Sequence, residues 1–211
     1  MITPKDISPK IDINKTSFNI LDLETTGLNS NKDKIIEITV VKWQNGKILD
    51  QYYSLINPGE SHIKLVYKFE PFLNEDFSLA ARFEEIKDNI RKFLGNDIII
   101  AHNAIFDYSF LYKTFKEHNI ELVLPYCCTV KLSRKLYKEH KKHNLDSVIE
   151  RLNIKTTNRH RSYFDTQVLV EFLNNILRQY DTKTINDAFN KIKKTSKSSH
   201  STTKPGFGVA K

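Results

Sequence analysis

The chain opens with alternation. Residues 17–23, SFNILDL, alternate and are rich in apolar groups, a pattern that predicts a strand. A turn, TTGL, follows, with Gly27 supplying backbone freedom. Residues 35–43, IIEITVVKW, predict a second strand, and Asn45-Gly46 is a hairpin signal. The third strand, KILDQYYSLI, runs to Asn57-Pro58-Gly59, which breaks it. The first quarter of the chain therefore predicts a three-stranded meander.

Beyond it the period changes. Leu79, Phe83, Ile86, Ile90 and Phe93 recur at three and four within residues 77–94, the spacing of an amphipathic helix, and Gly95-Asn96 ends it. DIIIA is a short apolar run that predicts a buried strand. Asn103 is placed to cap a helix carrying Phe106, Phe110, Leu111 and Phe115. ELVLPYCCTV holds a last strand. KLSRKLYKEH and NLDSVIERLNI predict two helices, the second with Asn144 near its start. SYFDTQVLVEFLNNILRQY predicts a long helix with Phe164, Val168, Phe172 and Ile176 on one side. A meander followed by strands alternating with helices predicts an α/β fold, a mixed sheet flanked by helices. The expected organisation is an N-terminal extension (1–16), a domain over 17–181 and a basic, disordered tail over 182–211, where Lys, Ser and Thr replace core-forming residues.

Composition sets the setting. The 211 residues suit one domain with a tail, and 39% hydrophobic with 27% charged is ordinary for a globular protein. The two cysteines, Cys127 and Cys128, are adjacent, which excludes a disulfide framework and points to a reducing, cytoplasmic compartment. They read as small buried hydrophobes. The N-terminus, MITPKDISPKIDINK, has no apolar segment of the signal-peptide kind. No apolar run reaches the length of a membrane helix, so no membrane partner is expected.

Charge is unevenly placed. The net +8 arises from 33 basic and 25 acidic residues. Residues 131–161 hold ten basic and three acidic groups, and 182–211 hold seven and one, on a mildly acidic remainder. Two basic segments suit a polyanion such as nucleic acid, although a solvated surface has the same composition.

Candidate chemistry begins at Asp22-Leu23-Glu24. Residues i and i+2 of a strand share a face, so both carboxylates project from one side while Leu23 points into the core. Two such acids repel, and a hard divalent cation with oxygen ligands relieves the repulsion. Asp107, in AHNAIFDYSFL, falls in the first turns of a helix after a buried strand, where α/β sheets place ligands. An acid there also suits the helix dipole. His160 lies in the polar run Asn158-Arg159-His160-Arg161, five positions ahead of Asp165, which begins the long helix. A histidine titrates where proton transfer from water is needed, but an exposed surface histidine is equally consistent with the run.

Together these blocks, FNILDLETTGL, IIIAHNAIFDYSFL and NRHRSYFDTQVLVEFL, with KHNLDSVIERLNI as a fourth, resemble the DEDDh 3′→5′ exonucleases. Within that family the likeness is greatest to the DNA polymerase III epsilon group, and it covers roughly residues 17–180. The resemblance implies a ribonuclease H-like fold and two divalent metal ions, Mg²⁺ or Mn²⁺. Asp22, Glu24 and Asp165 would hold the first, Asp22 would bridge to the second, and Asp107 would act on the second largely through water. His160 would be the general base. Thr25, Thr26 and Leu28 would line the terminal nucleotide, with Phe106 beside the next base and His102 or Asn103 at a phosphate. For Phe106, plain core packing is an equal reading.

The implied substrate is the 3′ end of single-stranded DNA, with nucleoside 5′-monophosphates as products, and the implied partner is a DNA polymerase catalytic subunit. An exoribonuclease of the oligoribonuclease or ribonuclease T type would share these residues. A non-catalytic nucleic-acid-binding scaffold would lack one of the five key groups, and none is missing. Two departures stand out. Cys128-Thr129 occupies the place of an Asp-Thr or Asp-Ser pair, and IKLVYKFEPFLNEDF has no His-Gly pair.

Overall fold

The structure, a computed structural model, describes residues 10–69, 76–157 and 159–194, without the side chains of 65–69. Its strands are β1 (Phe18–Thr25), β2 (Ile35–Gln44), β3 (Lys47–Leu55), β4 (Ile98–Ala101) and β5 (Tyr126–Cys128). Its helices are α1 (Glu60–Phe69), α2 (Phe83–Leu94), α3 (Ile105–Glu117), α4 (Thr129–Leu136), α5 (Leu145–Leu152), α6 (Ser162–Gln179) and α7 (Thr182–Ile192). The strands form one sheet in the order β3-β2-β1-β4-β5. β1–β2 and β2–β3 are antiparallel, whereas β1–β4 and β4–β5 are parallel. This is the expected mixed sheet, with the meander turning at Asn45-Gly46, both at positive φ.

Alternation along β1 divides the core. Phe18 and Ile20 face a layer with Trp43, Val168, Leu169, Phe172 and Ile176. Leu21 and Leu23 face the other layer, with Ile90, Phe110, Leu111 and Phe115. A buried side chain of this size contributes about 1.5–3 kcal/mol relative to exposure, so the two faces hold β1 rigidly between helices. Its carboxyl end, next to those of β4 and β5, is where ligands of open α/β sheets are placed.

Four expectations are corrected. Leu79 is 85% exposed and precedes α2, which starts only at Phe83, where Glu85 turns back to accept from the Arg82 N–H at 2.7 Å. Phe77, not Leu79, is the buried residue of that stretch. Asn103 does not cap α3: it takes a left-handed φ of 67°, and Ala104 stands at the cap. Asn144, by contrast, caps α5 by accepting from Ser147 N–H.

The tail does not begin at 182. Asp181 caps α7, which buries Ile185, Ala188, Phe189 and Ile192. Nor is the whole of 1–16 an appendage. Ile11 and Ile13 are buried in the same cluster as Phe189, and Asn186 and Asn190 accept from their backbone N–H groups at 2.8 and 2.9 Å. Residues 195–211 lie outside the described residues, as does Asn158. Among the described residues no helix is long and apolar enough to cross a membrane.

Candidate active site

Asp22 and Glu24 leave β1 on the face that carries α6, whose first turn presents Asp165. One carboxylate oxygen from each of the three lies within 4.8 Å of the others. Asp107 arrives from the opposite layer on α3 and is 97% buried. Its carboxylate receives backbone hydrogen bonding at Leu23, between the two β1 acids. Two layers of the fold thus deliver four acids to the carboxyl end of one strand.

The electrostatics are unfavourable without a cation. Burial, then the charges of Asp107, Glu24 and Asp165, push Asp22 well above the usual carboxylate range, partly offset by Arg159. Burial likewise pushes Asp107 up to about 7, against hydrogen bonding from the backbone at its own position and at Leu23. Such a set of close, hard oxygen donors that resist ionising together fits a divalent metal: Asp22, Glu24 and Asp165 have the required donor chemistry and proximity.

Arg159 already answers part of this charge. Its guanidinium pairs with Asp165 and, through Nε at 3.0 Å, with Asp146 of α5. His160 next to it is exposed, with a left-handed φ of 63°. Of the five key groups, then, the structure brings the four acids together and leaves His160 on the loop beside them. Arg159 and Asp146 are contributors that the sequence reading passed over, because nothing in a basic surface run marks which guanidinium turns inward.

The Thr-Thr-Gly-Leu turn adjoins Glu24. Thr25 Oγ1 donates to the Gly27 carbonyl at 2.7 Å, and Thr26 pairs twice with Lys34 across the turn. A Cβ at Gly27 would sit 2.6 Å from the Asp33 carboxyl group, which accepts from Asn29 N–H, so a larger residue would displace that side chain. The tight turn leaves Leu28 88% exposed, an apolar side chain held in water at the margin of the acids.

His102 is half-buried at the end of β4, and its Nδ1 meets Thr129 Oγ1 at 2.9 Å. Burial and Arg159 bring its ring down to about 4, so it is uncharged near neutrality and serves as a hydrogen-bonding group only. Asn103 is exposed. Phe106 is partly buried, packed on Phe110 with ring centroids 4.9 Å apart, which favours the packing reading while leaving one edge at the surface. Cys127 is buried and its thiol is pushed up to about 12, as expected of a core residue.

Sequence reading also missed Glu37. It stands on β2 directly opposite Glu24, is 1% exposed, and pairs with Arg161 at 2.9 Å. The signal was present: one acid inside the apolar run IIEITV.

A five-stranded mixed sheet with acids gathered at the carboxyl end of its first strand is the arrangement expected of the ribonuclease H-like fold. The family profile described as "Exonuclease" matches residues 20–173. The chain belongs to this exonuclease family.

Among curated relatives, it is 34% identical over 168 residues to the PolC-type DNA polymerase III of Thermotoga petrophila. It is 31% identical over 182 residues to that of Clostridium perfringens. The matches cover 79% and 82% of this chain but only 12% of each polymerase. Among solved structures, exonuclease X in complex with 5′ overhanging duplex DNA superposes with a TM-score of 0.58 at 23% identity, covering 82% of this chain and 99% of that one. Escherichia coli exonuclease I in complex with a dT13 oligonucleotide gives 0.61 at 12% identity, covering 77% and 41%. At those identities the superpositions establish the fold.

Proposed function

We propose that this chain hydrolyses single-stranded DNA from the 3′ end to nucleoside 5′-monophosphates, in replication proofreading or repair. The observation that carries the reading is the convergence of Asp22, Glu24 and Asp165 within 4.8 Å, with buried Asp107 arriving from the other layer. Asp22, Glu24 and Asp165 would hold one Mg²⁺ or Mn²⁺, and Asp22 with Asp107 would serve a second. Bound there, the ions supply Lewis-acid stabilisation of the charge that develops on the phosphate oxygens.

The remaining work falls to side chains. Thr25 and Thr26 line the terminal sugar and Leu28 stacks on its base, its exposure being compatible with a partner that covers it. His102, as a neutral ring, can offer only its N–H to a phosphate oxygen. Asn103 and the free edge of Phe106 lie beside the next nucleotide. His160 takes a proton from water as the water oxygen bonds to phosphorus; the P–O3′ bond breaks, and the departing 3′ oxygen is protonated by solvent. The basic run 131–161 suits the phosphates upstream of the cut. The PolC-type relatives favour a polymerase as partner and a cytoplasmic setting.

The test is a 5′-labelled DNA oligonucleotide with Mn²⁺, beside an RNA of the same sequence. A ladder descending from the 3′ end on DNA, abolished in Asp22→Ala, is the expected result. An intact substrate with folded protein overturns the enzyme reading, and faster RNA shortening overturns the DNA preference.

A further inference from the structure

Glu37 lies one strand away from the acidic cluster and on the same face, because its cross-strand partner is Glu24. A buried carboxylate beside four others would ordinarily join them at a metal. Its oxygens are engaged elsewhere. Oε2 accepts from Arg161 Nε at 2.9 Å. Oε1 accepts from the Ser162 backbone N–H at 3.1 Å and from the Ser162 hydroxyl at 2.9 Å. With that hydroxyl donating to Glu37, its oxygen is left to accept from Thr39 Oγ1, 2.7 Å away. Arg161 also donates through Nη2 to the Tyr53 hydroxyl at 3.1 Å. Glu37 therefore binds the first residue of α6 and the residue before it to β2, and Arg161 extends the link to β3.

The consequence runs in both directions along the chain. Toward the C-terminus, the Asp165 N–H donates to the Arg161 carbonyl at 3.1 Å, so Asp165 sits one turn from the anchored point. Toward the N-terminus the next residue is His160, in a left-handed conformation that is uncommon for a residue with a side chain. A negative group at the first turn of α6 is also favoured by the helix dipole, which suits the carboxylate form of Glu37 over an amide.

We propose that Glu37 is a positioning residue for His160: through Arg161 and Ser162 it fixes the loop that carries the base relative to the metal-binding acids. The inference rests on the catalytic reading of His160 above. Glu37 touches neither metal nor substrate, and losing it releases the base and not the ligands. A displacement on the order of 1 Å at a reacting group costs up to about a hundredfold in rate.

The test uses Glu37→Gln, which keeps the shape and one carbonyl acceptor for Ser162 but loses the charge paired with Arg161. Three measurements accompany it: steady-state kinetics on single-stranded DNA, Mn²⁺ titration followed by thermal shift, and the His160 ring resonances in metal-free protein, assigned with His160→Gln. The expected result is kcat lower by about ten- to a hundredfold, with KM and Mn²⁺ affinity within about twofold. The His160 resonance should move from a dispersed position toward that of a free histidine. Arg161→Lys should retain more activity than Arg161→Gln, and the double Glu37→Gln/Arg161→Gln variant should be no worse than the worse single.

Unchanged kcat, a loss of kcat matched by a loss of Mn²⁺ affinity, or an unmoved His160 resonance overturns the proposal. If wild-type protein cleaves nothing while the His160 resonance still responds to Glu37→Gln, the positioning stands and the catalytic reading of His160 fails.

Discussion

Two carboxylate environments stand side by side at the end of this sheet, and they are resolved in opposite ways. Glu37 has a guanidinium, a backbone N–H and a hydroxyl around it. Asp22 and Asp107 have burial and, for Asp22, other carboxylates, with partial relief from Arg159 and the backbone. The distance between the two arrangements is one strand. Charge matched by its own cation holds the frame; charge crowded by other carboxylates and only partly offset is kept for a ligand that brings its own. An acid's identity and burial are thus insufficient to assign its role, and the decisive difference is whether its hydrogen-bonding capacity has been used inside the protein.

The sharpest way to break the comparison is by activity. Asp22→Ala, Asp107→Ala and Asp165→Ala should each lower kcat by a thousandfold or more, on the order seen when an essential catalytic group is removed. Single-turnover assays at saturating Mn²⁺ would measure it, and residual rates within tenfold of wild type would place the acids outside the chemistry.

Stability should separate the groups next. Glu37→Ala removes the acceptor that Arg161 Nε and Ser162 share and should cost about 1–3 kcal/mol, the guanidinium left behind being partly exposed. Asp107→Asn in EDTA should leave stability unchanged or raise it, because a carboxyl whose ionised form is penalised by burial is replaced by a neutral group. Urea unfolding of both variants provides the check, and equal losses would erase the distinction drawn here.

The pH dependence follows with a defined sign. Asp107 holds its proton up to about 7 in the folded protein and to about 4 when unfolded. The folded state therefore binds the extra proton between those values, and its contribution to stability, full below pH 4, is lost as pH rises through 7. Metal-free protein should unfold at progressively lower urea from pH 4 to 7, and Asp107→Asn should flatten that trend. A rise in stability across the same window would contradict the assignment.

The smallest effect is expected at Arg159. Its pairing with Asp165 opposes a cation at the same oxygen, so Arg159→Gln should tighten Mn²⁺ binding a few-fold, about fivefold at most for a partly exposed pair. Calorimetric titration of Mn²⁺ would detect this, and weaker binding in the variant would mean that Arg159 assists the metal.

Legibility in the sequence followed the range of the interactions. Asp22 and Glu24 were readable because a strand places i and i+2 together, and the sheet was readable because β1 to β3 are joined by short turns. Leu79 misled because its spacing extends the helical period past the point where Glu85 caps it. The helix α7 was hidden by its lysines, since the face it buries is completed by Ile11 and Ile13 from the other end of the chain. Glu37 was visible as an anomaly in an apolar strand, but its partners lie 124 and 125 positions away. No local pattern encodes that distance.

The contact of residues 11–13 with α7 has a further consequence. Ile11 and Asn190 exchange two hydrogen bonds although 179 positions separate them, so the chain enters and leaves the folded unit at one place. A unit with its entrance and exit adjacent behaves as a cassette. A longer protein could carry such a unit with both of its connections at one patch of the surface.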